Sequence, residues 1–228
     1  MPDTFAHERL VDDLAASLSP VRRLPAPTWR ACAWLSAVLG MGLVLLLFAD
    51  PASLASRLAV PDLRYAAFGA AATAVAAAMA AFQSSVPGRS ALWSLLPLPP
   101  LTLWLGASGL GCLRGWIAPG TDLPDAHEMR GCFVFLMAVS VPLSALLVLM
   151  LRRACPLRPT LTAALGGLAA ASAAAALLVP FHPHDATATD LVVHCVAVLL
   201  IVAGNGLLGG RLLDARRAVG RENRRAGL

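Results

Sequence analysis

The chain has no lysine, a single tyrosine and few charges of either sign, with 14% of its 228 residues charged. A soluble domain carries roughly 25% charged residues, so a solvated globule with a charged coat is excluded. All 18 basic residues are arginine; with the alanine-rich runs, this is a trait of GC-rich coding and carries no chemistry. CxxC, HExxH, a phosphate-cradling glycine loop and a nucleophile motif are all missing. Their absence removes the commonest machinery for thiol redox chemistry, zinc hydrolysis, nucleotide binding and acyl transfer. Also missing are acidic and basic side chains in the middle of any long apolar run. Proton-coupled transporters and pumps place such groups there, at a cost that function repays, so that class fits poorly.

What is present is hydrocarbon: 58% of the residues are hydrophobic. Six apolar runs, 32–49, 65–85, 92–111, 132–151, 160–181 and 191–210, each approach the roughly 20 residues that a helix needs to cross a bilayer. An open sheet would leave backbone groups without partners in lipid. The expected fold is therefore an all-α membrane protein, a bundle of six transmembrane helices. With the N-terminus cytoplasmic, 14 arginines fall on the inner side and Arg57, Arg64, Arg114 and Arg130 on the outer. The reverse insertion would violate the positive-inside tendency. Both termini are thus expected in the cytoplasm, in a multi-pass protein of the bacterial inner membrane.

Three parts follow: a cytoplasmic N-terminal segment (1–29), a transmembrane domain (30–211) and a basic cytoplasmic tail (212–228). The first 29 residues, with their acids and prolines, do not read as a cleaved signal peptide. The net charge of +5 calls for no direct contact with nucleic acid, because a basic face beside anionic lipid headgroups explains it. Residues 4–18 predict a helix with Thr4 as N-cap. Leu10, Leu14 and Leu18 recur at i, i+4, i+8, with Val11 widening the stripe and Asp12 and Asp13 off it. So short a helix is marginal alone in water. It is either a frayed juxtamembrane tail or a docking segment for a cytoplasmic protein.

The second and fifth runs, rich in Ala, Gly and Ser, are expected inside the bundle, since small residues let backbones approach. Gly206 and Gly210 share that spacing near the chain's end. Pro97, Pro99 and Pro100 predict a kink or unwinding in the middle of the third run.

The expected topology sorts the cysteines and histidines. Cys112, His127, Cys132, His182, His184, His194 and Cys195 gather on the outer side; Cys32, Cys155 and His7 remain inside. Thiolates and imidazoles are ligands for copper, zinc and similar ions, and exposed thiols respond to oxidants. The candidate sensing residues are Cys112, Cys132, His182, His184, His194 and Cys195, with His182, His184, Cys132 and Cys195 as the metal-ligating subset. Cys112 and Cys132 are candidates for a disulfide, because their helices are joined at the outer boundary. The bland alternatives stand beside this: cysteines as small buried hydrophobes, and His182-Pro183-His184 as a solvated loop.

Several short stretches give the chain a familial look. Leu10-Val11-Asp12-Asp13-Leu14-Ala15 leads into Ser19-Pro20-Val21-Arg22-Arg23-Leu24. Val86-Pro87-Gly88-Arg89-Ser90 precedes the third run and Leu110-Gly111-Cys112 ends it. Cys155-Pro156-Leu157-Arg158-Pro159 precedes the fifth. Over nearly its whole length the chain resembles the NrsF-like family of bacterial inner-membrane anti-sigma factors, negative regulators of sigma F. The resemblance implies that Leu10, Val11, Asp12, Asp13 and Leu14 contact an extracytoplasmic-function sigma factor. It also implies that outer-side cysteines sense metal or oxidative stress and release that factor. Cys132 matches one sensing position. The other lies in a His-Cys-Pro-like stretch of the last outer loop, where this chain reads Phe181-His182-Pro183-His184-Asp185 without a cysteine. Cys195, or the imidazoles of His182 and His184, would take its place, favouring a metal ion (copper, zinc or cadmium) as signal. No other cofactor is expected and no enzymatic activity. The rival readings are a small membrane transporter or metal-handling protein, and a thiol oxidoreductase.

Overall fold

A computed structural model describes residues 3–18, 23–117, 126–154, 156–181 and 188–213. All regular structure among them is helical. Proline opens four of the helices: α2 (Pro27–Leu46), α3 (Pro51–Ala59), α4 (Pro61–Ser84) and α7 (Pro159–Leu178). At that position its missing N–H would lack an intrahelical partner anyway, and its fixed φ suits the first turn. The short α3 has a second start signal, as Asp50 accepts from Ala52 N and Ser53 N, both at 3.2 Å. The remaining helices are α1 (Asp3–Ala16), α5 (Leu98–Ile117), α6 (Ala126–Leu151) and α8 (Ala188–Gly204).

Six stretches are long and apolar enough to cross a membrane: Pro27–Leu46, Pro61–Ser84, Ala91–Leu113, Met129–Leu151, Pro159–Phe181 and Leu191–Leu213. The six-helix architecture is the expected one. Successive spans run in opposite directions. The starts of α2, α5 and α7 therefore share one end of the bundle, the near end, with the last turns of α4, α6 and α8. At the other, far end, α3 packs on the 3₁₀ turn Val179–Phe181.

The alanine-rich helices form the centre, as expected. α4 and α7 make the most extensive contact in the molecule, and their alanines supply much of the core. Small side chains permit close crossings elsewhere. A Cβ at Gly69 would lie 2.7 Å from the backbone nitrogen of Trp104, so only glycine lets α4 meet α5 there. Gly167 plays the same part against Asn205, with 2.8 Å to its Cβ. Gly210 sits against Thr160, which bears out the close approach read from the Gly206/Gly210 spacing.

The stretch 86–90 has a local cause. Pro87 fixes the second position of a turn and Gly88 takes a φ of +81° at the third, with Arg89 N donating to Val86 O at 3.4 Å. That is the type II requirement for glycine.

Several boundaries differ from the sequence reading. Thr4 lies inside the first turn of α1, not at its cap, since the helix starts at Asp3. Pro97, Pro99 and Pro100 do not break the middle of a helix. They separate a 3₁₀ turn (Ala91–Leu95) from α5 and occupy the opening of α5, where proline is tolerated. α6 starts well before the apolar run, which places Cys132 inside the helix and not at its mouth. Pro142 lies within α6, and α8 passes into a π turn at Asn205–Gly209; single π turns recur at functional sites.

Candidate functional site

α1 stands apart from the bundle's core. Every side chain described on it, from His7 to Ala16, is exposed. Leu10 is 54% exposed, Val11 55% and Leu14 58%. At 100° per residue these three cover an arc of about 100°, with Asp13 flanking it and Asp12 across the helix. Ser17 closes the last turn, its Oγ donating to Leu14 O at 2.8 Å. Of the predicted docking residues, Leu10, Val11 and Leu14 thus form one apolar stripe with Asp13 at its edge, whereas Asp12 lies on the other side of the helix.

The chain leaving α1 enters α2, and here the structure shows what the sequence reading missed. Arg30 is only 6% exposed. Its Nη2 donates to the backbone oxygen of Met150 near the end of α6. Its guanidinium carbon lies 4.9 Å from the centre of the Phe82 ring on α4. One turn on, the fully buried Trp34 donates from Nε1 to Leu143 O at 3.1 Å. Arg30 and Trp34, at i and i+4, share a face and fasten α2 to two carbonyls of α6. The sequence signal was available: an arginine beside an apolar run is expensive in a membrane unless it is partnered.

Four of the predicted sensing residues, Cys112, Cys132, His194 and Cys195, fall towards the far end, but differ in environment. Cys112 is half-buried on α5, whereas Cys132 is buried in the core cluster at 6% exposure. His194 and Cys195 are half-buried on α8. Both Cys112 and Cys132 are thiols in this structure. His182 and His184 lie outside the described residues. Among the described residues no three of His, Cys, Asp or Glu come together as a metal site would require, so these residues by themselves do not form a metal centre.

His194 and Cys195 do share a feature that the sequence could not show. They line a cavity of about 480 Å³ between α4, α5, α7 and α8. Its walls are apolar, among them Ala67, Trp104 and Leu168. Its polar residues include Arg57 and Asp62 at the far end. Arg57 is oriented by Ser53, with Nε donating to Oγ at 3.3 Å. At the near end, α8 is held to α6 by a polar contact, Asn205 Nδ2 donating to Ser144 Oγ at 3.0 Å.

No curated protein and no solved structure matches the chain. One family does: the model for NrsF, described as negative regulator of sigma F, matches residues 14–214. The match takes in all six candidate spans and begins at Leu14, so Leu10 to Asp13 precede it. The chain belongs to the NrsF family of negative regulators of sigma F.

Proposed function

We propose that this chain is a multi-pass inner-membrane anti-sigma factor whose N-terminus is cytoplasmic. It holds an extracytoplasmic-function sigma factor on α1 and yields it when the far, periplasmic end changes state. The observation that carries this reading is the exposed stripe of Leu10, Val11 and Leu14 on a helix too short to be stable alone in water. An amphipathic helix of this kind is completed by a partner's groove. Asp12 and Asp13 suit a basic protein surface better than anionic lipid.

Signal enters through Cys112, Cys132, His194 and Cys195, together with His182 and His184, by oxidation or by a metal ion such as copper, zinc or cadmium. The route to α1 is α6. From Cys132 to Met150 its rise is about 27 Å, and the Arg30 and Trp34 contacts pass a shift of α6 to α2. The signal biases release only by favouring one of two bundle states over the other. A tenfold change in sigma binding requires about 1.4 kcal/mol of coupling.

The test is co-purification of the sigma factor with full-length wild type and with Leu10→Ala/Leu14→Ala. Burying the exposed half of each leucine is worth about 1 kcal/mol. The double variant should therefore bind about 30-fold more weakly. Undiminished retention would discard the docking role of α1.

A further inference from the structure

At the near end, α6, α7 and α8 converge beside a shielded cationic donor that the described residues leave without an acceptor. We propose that this junction binds the phosphate of one anionic phospholipid, of the phosphatidylglycerol type, from the adjacent leaflet. This goes beyond the regulatory reading: it rests on membrane embedding alone and is independent of how α1 is used.

Small residues bring the three helices together. A Cβ on Gly209 would lie 3.3 Å from Val148 Cγ2 on α6 and 3.2 Å from the Ala163 Cβ on α7. One on Gly210 would lie 3.0 Å from Thr160 Oγ1. Arg152 stands one turn beyond Val148, on the same face of α6. Pro159 stands one turn beyond Ala163, at the start of α7. Arg152 and the first turn of α7 thus flank the mouth of the junction. Arg152 is half-buried, and its Nε is shut off from water with no hydrogen-bond partner among the described residues. A shielded donor on a cation calls for an acceptor.

The start of α7 adds donors of its own. Pro159 has no N–H, and Thr162 N donates to Arg158 O at 3.0 Å. The N–H groups of Thr160 and Leu161 have no partner within the helix, and no side chain caps them. Open N–H groups at the positive end of a helix suit a phosphate, and Thr160 adds an exposed hydroxyl.

The balance of charge selects the ligand class. Arg153 and Arg158 are exposed on the same connection as Arg152. Every Asp and Glu described outside α1, namely Asp50, Asp62, Glu128 and Asp190, belongs to the far end. A phosphodiester of net negative charge is matched by the guanidiniums, whereas the ammonium of phosphatidylethanolamine finds no carboxylate among them. Depth then selects a lipid over a soluble anion. Leu151 ends one span and Pro159 opens the next, so the site lies at the edge of the hydrocarbon, where arginine reaches lipid phosphates. Leu157, exposed on the same connection, offers apolar surface to an acyl chain.

The experiment is native mass spectrometry of the full chain taken from nanodiscs of equal phosphatidylglycerol and phosphatidylethanolamine, with activation that strips annular lipid. Wild type should keep one phosphatidylglycerol per chain, favoured about fivefold or more over phosphatidylethanolamine, the factor that one arginine near a membrane surface contributes. Arg152→Gln and, separately, Arg158→Gln should each lower retained phosphatidylglycerol about tenfold, as loss of a hydrogen bond to a charged group entails. If one of them fails to fold by circular dichroism, the other decides. Arg89→Gln removes the same charge ahead of the 3₁₀ turn that packs on α4, and should retain as much lipid as wild type. Excess inorganic phosphate should leave the retained lipid unchanged. The proposal is overturned if wild type shows no preference for phosphatidylglycerol, or if a folded Arg152→Gln or Arg158→Gln variant retains as much as wild type. It is equally overturned if Arg89→Gln loses as much as those variants, or if inorganic phosphate displaces the lipid, which would make the site one for a soluble anion.

Discussion

The Arg30 guanidinium joins α2 to α4 and α6, and a mutant cycle can isolate how strongly its ring contact contributes. Three effects compete in Arg30→Met. The lost hydrogen bond to Met150 O is charge-assisted and worth about 1.5–3 kcal/mol. The lost contact with the Phe82 ring, at 4.9 Å, is worth about 0.5–2 kcal/mol when desolvated. Against both stands the cost of burying the cation, several kcal/mol per ion, which methionine avoids. The single variant thus measures a difference of large terms and its sign carries little information. The cycle of Arg30→Met with Phe82→Leu cancels the desolvation and the carbonyl bond, leaving the ring–guanidinium interaction. Its expected coupling is about 1 kcal/mol, measured by reversible unfolding in mixed detergent micelles. Independent sites add within about 0.3–0.5 kcal/mol. A coupling below about 0.3 kcal/mol would refute the reasoning that Phe82 holds Arg30 in place.

Two further outcomes follow from the packing. Gly167→Ala drives a Cβ to within 2.8 Å of the Asn205 Cβ and 3.0 Å of Ile201 O, and should destabilise by about 1–3 kcal/mol. Gly40→Ala, with nothing within 4 Å of its new Cβ, should be neutral or stabilising by up to about 1 kcal/mol, both read by the same unfolding assay. Equal effects at the two positions would contradict the close α7–α8 crossing. Cys132→Ala should fold as wild type, being a small change at a buried site, yet blunt induction of a sigma-dependent reporter by copper, cadmium or chromate. Full induction would remove that thiol from the switch.

The six spans were readable in the sequence because bilayer thickness imposes a common minimum length on them, whereas the nine-residue α3 was not. The central placement of α4 and α7 was readable for a similar reason: alanine and glycine at contact positions mean close backbones wherever they occur. The errors arose where a boundary is set by something other than hydropathy. Arg30 lies just ahead of the apolar run that opens at position 32, and Phe82 and the Met150 carbonyl, distant in sequence, draw it inside. Cys132 was placed at a helix mouth because Arg130 and Glu128 end the apolar run, whereas α6 continues past them to Ala126. The cavity was invisible for a deeper reason. A gap between α5 and α8 is a property of four helices at once, and each of its walls alone reads as an ordinary apolar face. The stripe on α1 was the reverse case, legible in sequence because periodicity within one helix is sufficient to define it.

Photo-crosslinking from α1 tests the central claim most directly. With a benzophenone amino acid at position 14 of the full chain, co-expressed with the sigma factor in living cells, illumination should yield a covalent adduct of the two proteins. The same probe at position 130, at the far end, should yield none. Adducts from position 130, or none from position 14 while the sigma factor remains membrane-bound, would contradict a cytoplasmic α1 that carries the sigma factor.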